Sequence, residues 1–214
     1  SAQGTSAIAL GTNAASVSQG QRAIAIGYQA AYSGQSDNSV AIGSAAGNGP
    51  QGQCNVAIGV NAQFAGSSSN AISIGTNAGY GSQGSNSVAI GTNAGSNTQG
   101  NLAVAIGYLA GSCNQKASAV AIGNSAGYCN QNISATAVGV LAGYWNQSVN
   151  TTALGDIAGY CNQGSEATAV GIAAGYVTQG TKAVAIGYQA GSNTQSQGAV
   201  AIGSNAAVTT QSSN

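Results

Sequence analysis

Ala103-Val104-Ala105-Ile106-Gly107 returns, with small changes, every sixteen residues along this chain of 214 residues. The pentad glycine stands at Gly11, Gly27, Gly43, Gly59, Gly75, Gly91, Gly107, Gly123, Gly139, Gly155, Gly171, Gly187 and Gly203, with no insertion or deletion between them. A short, strict period is the signature of a solenoid, in which each unit is one coil, stable only because its neighbours cover it. Three residues before the glycine stands Val or Ile, giving way to Thr136, Thr152 and Thr168, and one before it stands Ile, Leu or Val. Ala lies between them, with Ser73 the one exception. This period of two predicts a strand with branched side chains on one face and methyls on the other. Helix is disfavoured by the recurring glycine and the β-branched pair. A strand apolar on both faces lies between two layers. The branched pair is therefore expected to point into a shared apolar layer, with the alanines as a flat outer surface against which another chain packs.

The rest of the coil is nearly as regular. Three residues past the glycine is Ala in all thirteen coils, a column that looks sterically closed. The next position is Gly in nine coils, which predicts a bend with positive φ. Eight past the glycine stands Gln in twelve coils: Gln19, Gln35, Gln51, Gln83, Gln99, Gln115, Gln131, Gln147, Gln163, Gln179, Gln195 and Gln211, with Ser67 in the remaining one. Amides stacked one rung apart can hydrogen-bond up the column, so these are expected to form a structural ladder with Ser67 as its one fault. Each coil then has two short strands and two turns. Residues 1–214 read as a single all-β domain, a parallel β-solenoid or β-roll of thirteen coils and roughly 60 Å at ~4.8 Å per rung. The few large apolar side chains are a small core for so long a chain, and neither end reads as a cap, so association or membership of a longer fibre is expected.

Composition narrows the function. Charged residues make up 3% of the chain and the net charge is zero, against about a quarter charged in ordinary soluble domains. Arg22, Lys116 and Lys182 form no basic patch, which argues against nucleic acid as a partner. No run approaches the ~18 apolar residues of a membrane-spanning helix, so no membrane insertion is expected. Without histidine the commonest general base is gone, and Asp37, Asp156 and Glu166 fall at scattered positions. No enzyme activity, no cofactor and no metal are expected. Cys113 and Cys129 share a column on adjacent rungs, close enough for a disulfide, although the favoured reading is that they are small buried or semi-buried hydrophobes. Cys161 continues that column, and Trp145 fills the rung between. Five past the glycine, Tyr80, Tyr128, Tyr144, Tyr160 and Tyr176 share a column with Tyr32 and Phe64. Such rings either seal the roll or form an exposed strip able to bind a glycan or a protein receptor.

Ser87-Val88-Ala89-Ile90-Gly91 and Ala183-Val184-Ala185-Ile186-Gly187 resemble the head repeats of trimeric autotransporter adhesins of the YadA-like kind. The extended unit Ala185-Ile186-Gly187-Tyr188-Gln189-Ala190-Gly191-Ser192-Asn193-Thr194-Gln195 is also similar to repeat shafts in fibre proteins of phages and large viruses. The resemblance implies a left-handed roll, a homotrimer around one axis and an extracellular, cell-surface or virion-surface location. It departs from the adhesin pattern in a longer, less charged repeat, and no neck, coiled-coil stalk or membrane anchor is matched. The leading expectation is a non-enzymatic structural or adhesive fibre segment, either shaft or head. An ice-binding β-solenoid is the alternative, with its face on the alanine columns or on Thr12, Thr76 and Thr92. A polymerising coat or sheath filament is the third.

Overall fold

The computed structural model describes residues 2–66 and 68–210. The pentads form one unbroken parallel sheet of thirteen strands, from Ile8–Leu10 to Val200–Ile202, in strict chain order. Register is constant at sixteen: Val104 lies opposite Val120, Ala105 opposite Ala121 and Ile106 opposite Ile122. The fold is an all-β, parallel β-solenoid of about twelve turns. A second column of very short strands carries the glutamines. It is continuous as a five-stranded sheet from Cys129–Gln131 to Thr194–Gln195, and elsewhere breaks into two-stranded pieces and single bridges.

The turn that joins the two strands explains the coil's thinness. Asn93 (φ 57°) and Gly95 (φ 54°) both take the left-handed conformation, two residues apart, and they reverse the chain within one short segment. Asn is among the residues that tolerate that region best, and Gly does so without steric cost. Space restricts the pentad glycine as well. A Cβ built on Gly91 would stand 2.6 Å from the carbonyl oxygen of Gly107 on the next rung.

The interior is the reverse of what the strand pattern predicts. The central alanines of the pentads, such as Ala89, Ala105 and Ala121, are fully buried, and so are Ala94, Ala110 and Ala126 past the glycine. The Val and Ile that flank the central alanine point outward and remain half-buried or exposed. The alanines therefore do not form an outer surface. The correction has a simple cause. The second strand crosses so close to the pentad that Gln115 Nε2 reaches Val104 O on the facing strand at 2.9 Å. A gap spanned by one glutamine side chain admits methyl groups and no branched side chain, because interiors are packed to crystal-like density.

Candidate functional site

Five inward positions fill each coil: the pentad alanine, the alanine past the glycine, the αL residue after it, the glutamine, and a small residue that opens the next pentad strand. That last position is Ala in most coils, and where it is polar it finds a partner inside the wall. Ser39 Oγ donates to Gly52 O at 3.0 Å, and Asn55 Oδ1 accepts from Ala71 N at 2.8 Å. Such satisfaction is what a buried polar group requires.

Among the described residues glutamines are the only long side chains in this interior, and they tie the two strands together. Gln115 Nε2 donates to Val104 O, to Ala119 O at 3.3 Å and to Gln131 Oε1 at 3.0 Å, while its own Oε1 accepts from Gln99 Nε2 at 3.2 Å. Each amide thus links one coil's two walls and the next coil's amide. The column is not one ladder with a fault at Ser67, which lies outside the described residues, as does Gln211. It is three runs: Gln19 to Gln35, Gln51 to Gln131, and Gln147 through Gln195. The carbonyl oxygens of Gln19, Gln51 and Gln147, which begin the runs, accept no hydrogen bond. At each break the preceding amide donates to backbone carbonyls and not to the next glutamine. Gln35 Nε2 donates to Ile24 O and Ser39 O, and Gln131 Nε2 to Val120 O and Ala135 O.

Around Ser67 the column is rerouted through a residue the repeat pattern alone does not flag. Gln63 occupies the αL position held by glycine in most coils (φ 53°), and it is fully buried. Its Oε1 accepts from Gln51 Nε2 at 3.0 Å, and its Nε2 donates to Gln83 Oε1 at 3.1 Å. Ser73, the one departure from the pentad alanine, donates its hydroxyl to the same Gln83 Oε1 at 2.6 Å. The sequence holds the signal: the one coil without Gln at its usual place carries one four residues earlier.

Outside the wall, three regular surfaces stand out among the described residues. The first is the pentad face. Two columns of Val, Ile, Leu or Thr run the length of the thirteen-stranded sheet, with Leu154 46% and Ile186 38% exposed. The second is the aromatic column, which lies outside the roll rather than sealing it. Tyr128, Tyr144, Tyr160 and Tyr176 stack at centroid spacings of 4.9 to 5.1 Å and within 19° of parallel. Trp145 stands edge-on to Tyr128 and Tyr144. Phe64 and Tyr80 make a second stack at 5.0 Å. The third is an exposed asparagine column, Asn114 to Asn130 to Asn146 to Asn162, joined amide to amide at 3.0 to 3.1 Å.

Cys113 and Cys129 are free thiols whose sulfurs approach to 2.8 Å. Burial, then the hydrogen bond with Cys113, push the Cys129 thiol up to about 11. Cys161 lies beyond Trp145 in the same column, and Cys54 is exposed elsewhere. Among the described residues no three of Cys, Asp and Glu gather where they could hold a metal ion. Asp37 serves a turn, accepting from Gln21 N at 2.8 Å, and Glu166 pairs loosely with Lys182 on the next rung at 4.0 Å. Thr12, Thr76 and Thr92 are exposed but interrupted by other residues, Tyr28 and Val60 among them, and the buried alanine columns offer no ice-facing surface. No protein-family model, curated protein or solved structure matches the chain.

Proposed function

We propose that the chain is a non-enzymatic structural rod, a shaft or head segment of an extracellular or virion-surface fibre, whose copies associate through the pentad face. The observation that carries this reading is the inversion of inside and outside. The largest apolar side chains are turned out of the coil, where they contribute least to a single chain. Thirteen strands at ~4.8 Å make a face about 60 Å long, and with a width of about 10 Å its area is about 600 Å². That is the upper end for the largest apolar patch on ordinary monomers. Two columns of stiff, β-branched residues in constant register make it flat, repetitive and ready for close packing against an identical face. A trimer about one axis, as in the adhesin heads that the repeat resembles, covers three such faces at once.

The test is sedimentation or native mass measurement of the full chain beside a Val104→Lys, Val120→Lys double variant. Both positions point outward, so the coil itself tolerates lysine, whose charge stays in water unless a second chain covers it. The unmodified chain is expected to be oligomeric at micromolar concentration, and the variant monomeric with its β-structure intact. A monomeric unmodified chain overturns the reading. If that monomer also depresses the freezing point of water below its melting point, the ice-binding alternative takes its place.

A further inference from the structure

Two surface clefts among the described residues lie where an aromatic stack stops. The column of rings ends at Tyr80, where the next rung carries Ser96, and again at Tyr176, followed by Ser192. In the interior of a stack each ring covers its neighbour's face. At these two ends the face turned toward the next rung meets a serine, too small to cover it. A cleft of about 340 Å³ opens at the first end, lined by Tyr80, Ser96, Asn97 and the asparagines Asn61, Asn77 and Asn93. A second, of about 290 Å³, opens at the other end, lined by Tyr176 with Ile157, Ala173 and Val177 on its apolar side.

From these walls we infer that the Tyr80 cleft binds one pyranose ring of a glycan. Its platform is rigid, since Phe64 stacks behind Tyr80 at 5.0 Å and 7°. The open face of Tyr80 is an apolar, electron-rich surface suited to the C–H face of a sugar. Beside it, Asn61 donates to Asn77 Oδ1 and Asn77 to Asn93 Oδ1, each at 3.2 Å. That chain stops at Asn93, because Leu109 occupies the place on the next rung. Asn93 Nδ2 therefore has no acceptor among the described residues and stands in the wall of the cleft with both hydrogens available to hydroxyl oxygens. The aromatic platform ends one rung before the asparagine chain, so the free amide of Asn93 stands on the rung of Ser96, in the same cleft as the uncovered face of Tyr80. A small cleft with one aromatic surface and a few convergent polar groups matches a single-ring ligand, and its volume is at the low end for binding sites. The Tyr176 cleft shares the open ring and has Gln189, Ser192 and Asn193 on its polar side, but Ile157 and Ala173 stand where the Tyr80 cleft has Asn61 and Asn77, so it is expected to take a sugar less well. The site lies on the turn between the strands, away from the pentad face, and does not depend on association.

The experiment is ligand-observed NMR of the full chain with a panel of methyl pyranosides, alongside phenol as an aromatic competitor. The variants are Ser96→Tyr and Asn93→Leu. Ser96→Tyr extends the stack as the Tyr128–Tyr176 run already does, and Leu is native to the Asn93 column at Leu109 (φ 56°), so both preserve the coil. At least one pyranoside is expected to bind with an affinity on the order of 1 mM. Ser96→Tyr should abolish that binding, and Asn93→Leu should weaken it about tenfold, as loss of a polar contact does. Binding that survives Ser96→Tyr, a response to phenol alone, or no binding by any pyranoside overturns the inference.

Discussion

The coils between Pro50 and Gln83 and those between Cys113 and Gln179 follow the same repeat and solve it differently. In the second region the turn and the second strand follow the repeat closely, although the amide relay breaks once, between Gln131 and Gln147. Asn114, Asn130, Asn146 and Asn162 take left-handed φ just before each glutamine, and their side chains join in a column. The glutamine strands there reach three residues at Cys129–Gln131, Trp145–Gln147 and Cys161–Gln163. In the first region Pro50, which has no N–H to give a ladder, stands at the place those asparagines hold, and the second sheet has no strand until Ser82–Gln83. Yet the pentad sheet passes through both regions without a change of register. The difference teaches what the coil needs. The buried amide relay is kept even when its usual position is lost, because Gln63 reaches the same space from the opposite side of the turn. The second strand's backbone pairing is dispensable, whereas the amide inside it is not.

The largest expected effect comes from the interior that both regions share. Ala105→Arg places an unpaired charge in a space that holds a methyl, and a buried unpaired charge costs several kcal/mol. Denaturant unfolding should find no cooperative solenoid around that coil, irrespective of protein concentration. An arginine that left stability intact and only separated chains would place the alanines outside after all.

Next comes the rerouted amide. Gln63→Gly leaves the Gln51 amide without its acceptor, at ~1–3 kcal/mol for a buried unsatisfied group, and takes from Gln83 Oε1 one of its two donors, worth ~1 kcal/mol, the Ser73 hydroxyl remaining. Relief of the left-handed conformation at residue 63 returns ~1–2 kcal/mol. A net loss of about 1 kcal/mol is expected, confined to the coils around Gly59 and Gly75 and read as faster amide exchange there. Adding Ser67→Gln, which restores the repeat, should recover most of it. A double-mutant cycle showing no coupling between the two sites would mean that Gln63 is not standing in for the missing glutamine.

These effects also show what was readable beforehand. Period, strand type, parallel order and both turns follow from Gly11 to Gly203 and from the glycine four residues on, because backbone conformation is written in residue type. Which face of the pentad turns inward is not written in its alternation. Val104 and Ala105 are both apolar, and hydrophobicity ranks the larger one as core. What decides the matter is the distance between the strands, set by a turn of two αL residues and by the reach of one glutamine. That is a volume constraint of the whole coil, and the invariant alanine past the glycine was its one local sign. The Tyr80 cleft was hidden for a related reason. It exists because two columns end on adjacent rungs, the aromatic one at Tyr80 and the asparagine one at Asn93.

A smaller effect sharpens the regular region. The thiol of Cys129 is held at about 11, above its ordinary value of 9.0, by burial and by Cys113, so the folded chain keeps its proton where the unfolded chain loses it. Because the folded pKa is the higher one, this contribution is complete below pH 9 and is lost as pH rises toward about 11. Burial and the stacked neighbours raise Tyr144 as well, in the same sense. Unfolding followed between pH 8 and 11 should therefore show declining stability, and Cys129→Ala should flatten part of that decline. An unchanged slope in the variant would assign the pH dependence to the tyrosines.

The smallest effect in an isolated coil is expected at Thr152, and it is the most informative about the surface. Thr136, Thr152 and Thr168 replace Val in the outward column across three adjacent strands, so this region's pentad face is less apolar than that of Val40 to Val120. Thr152 is half-buried, and its side chain points away from the alanine interior. Thr152→Val exchanges a hydroxyl for a methyl at nearly constant shape. On a single chain such a surface change should lie within about 0.5 kcal/mol. Where a second chain covers the face, the same change removes a polar group from a dry seam, and association should tighten by ~1 kcal/mol per seam. Measuring the monomer–oligomer equilibrium of Thr152→Val beside that of Val104→Thr compares the two regions directly. Opposite shifts in that equilibrium, with little change in the stability of the coil, are the outcome expected of a packed pentad face. If neither substitution moves the equilibrium, the seam lies elsewhere on the rod.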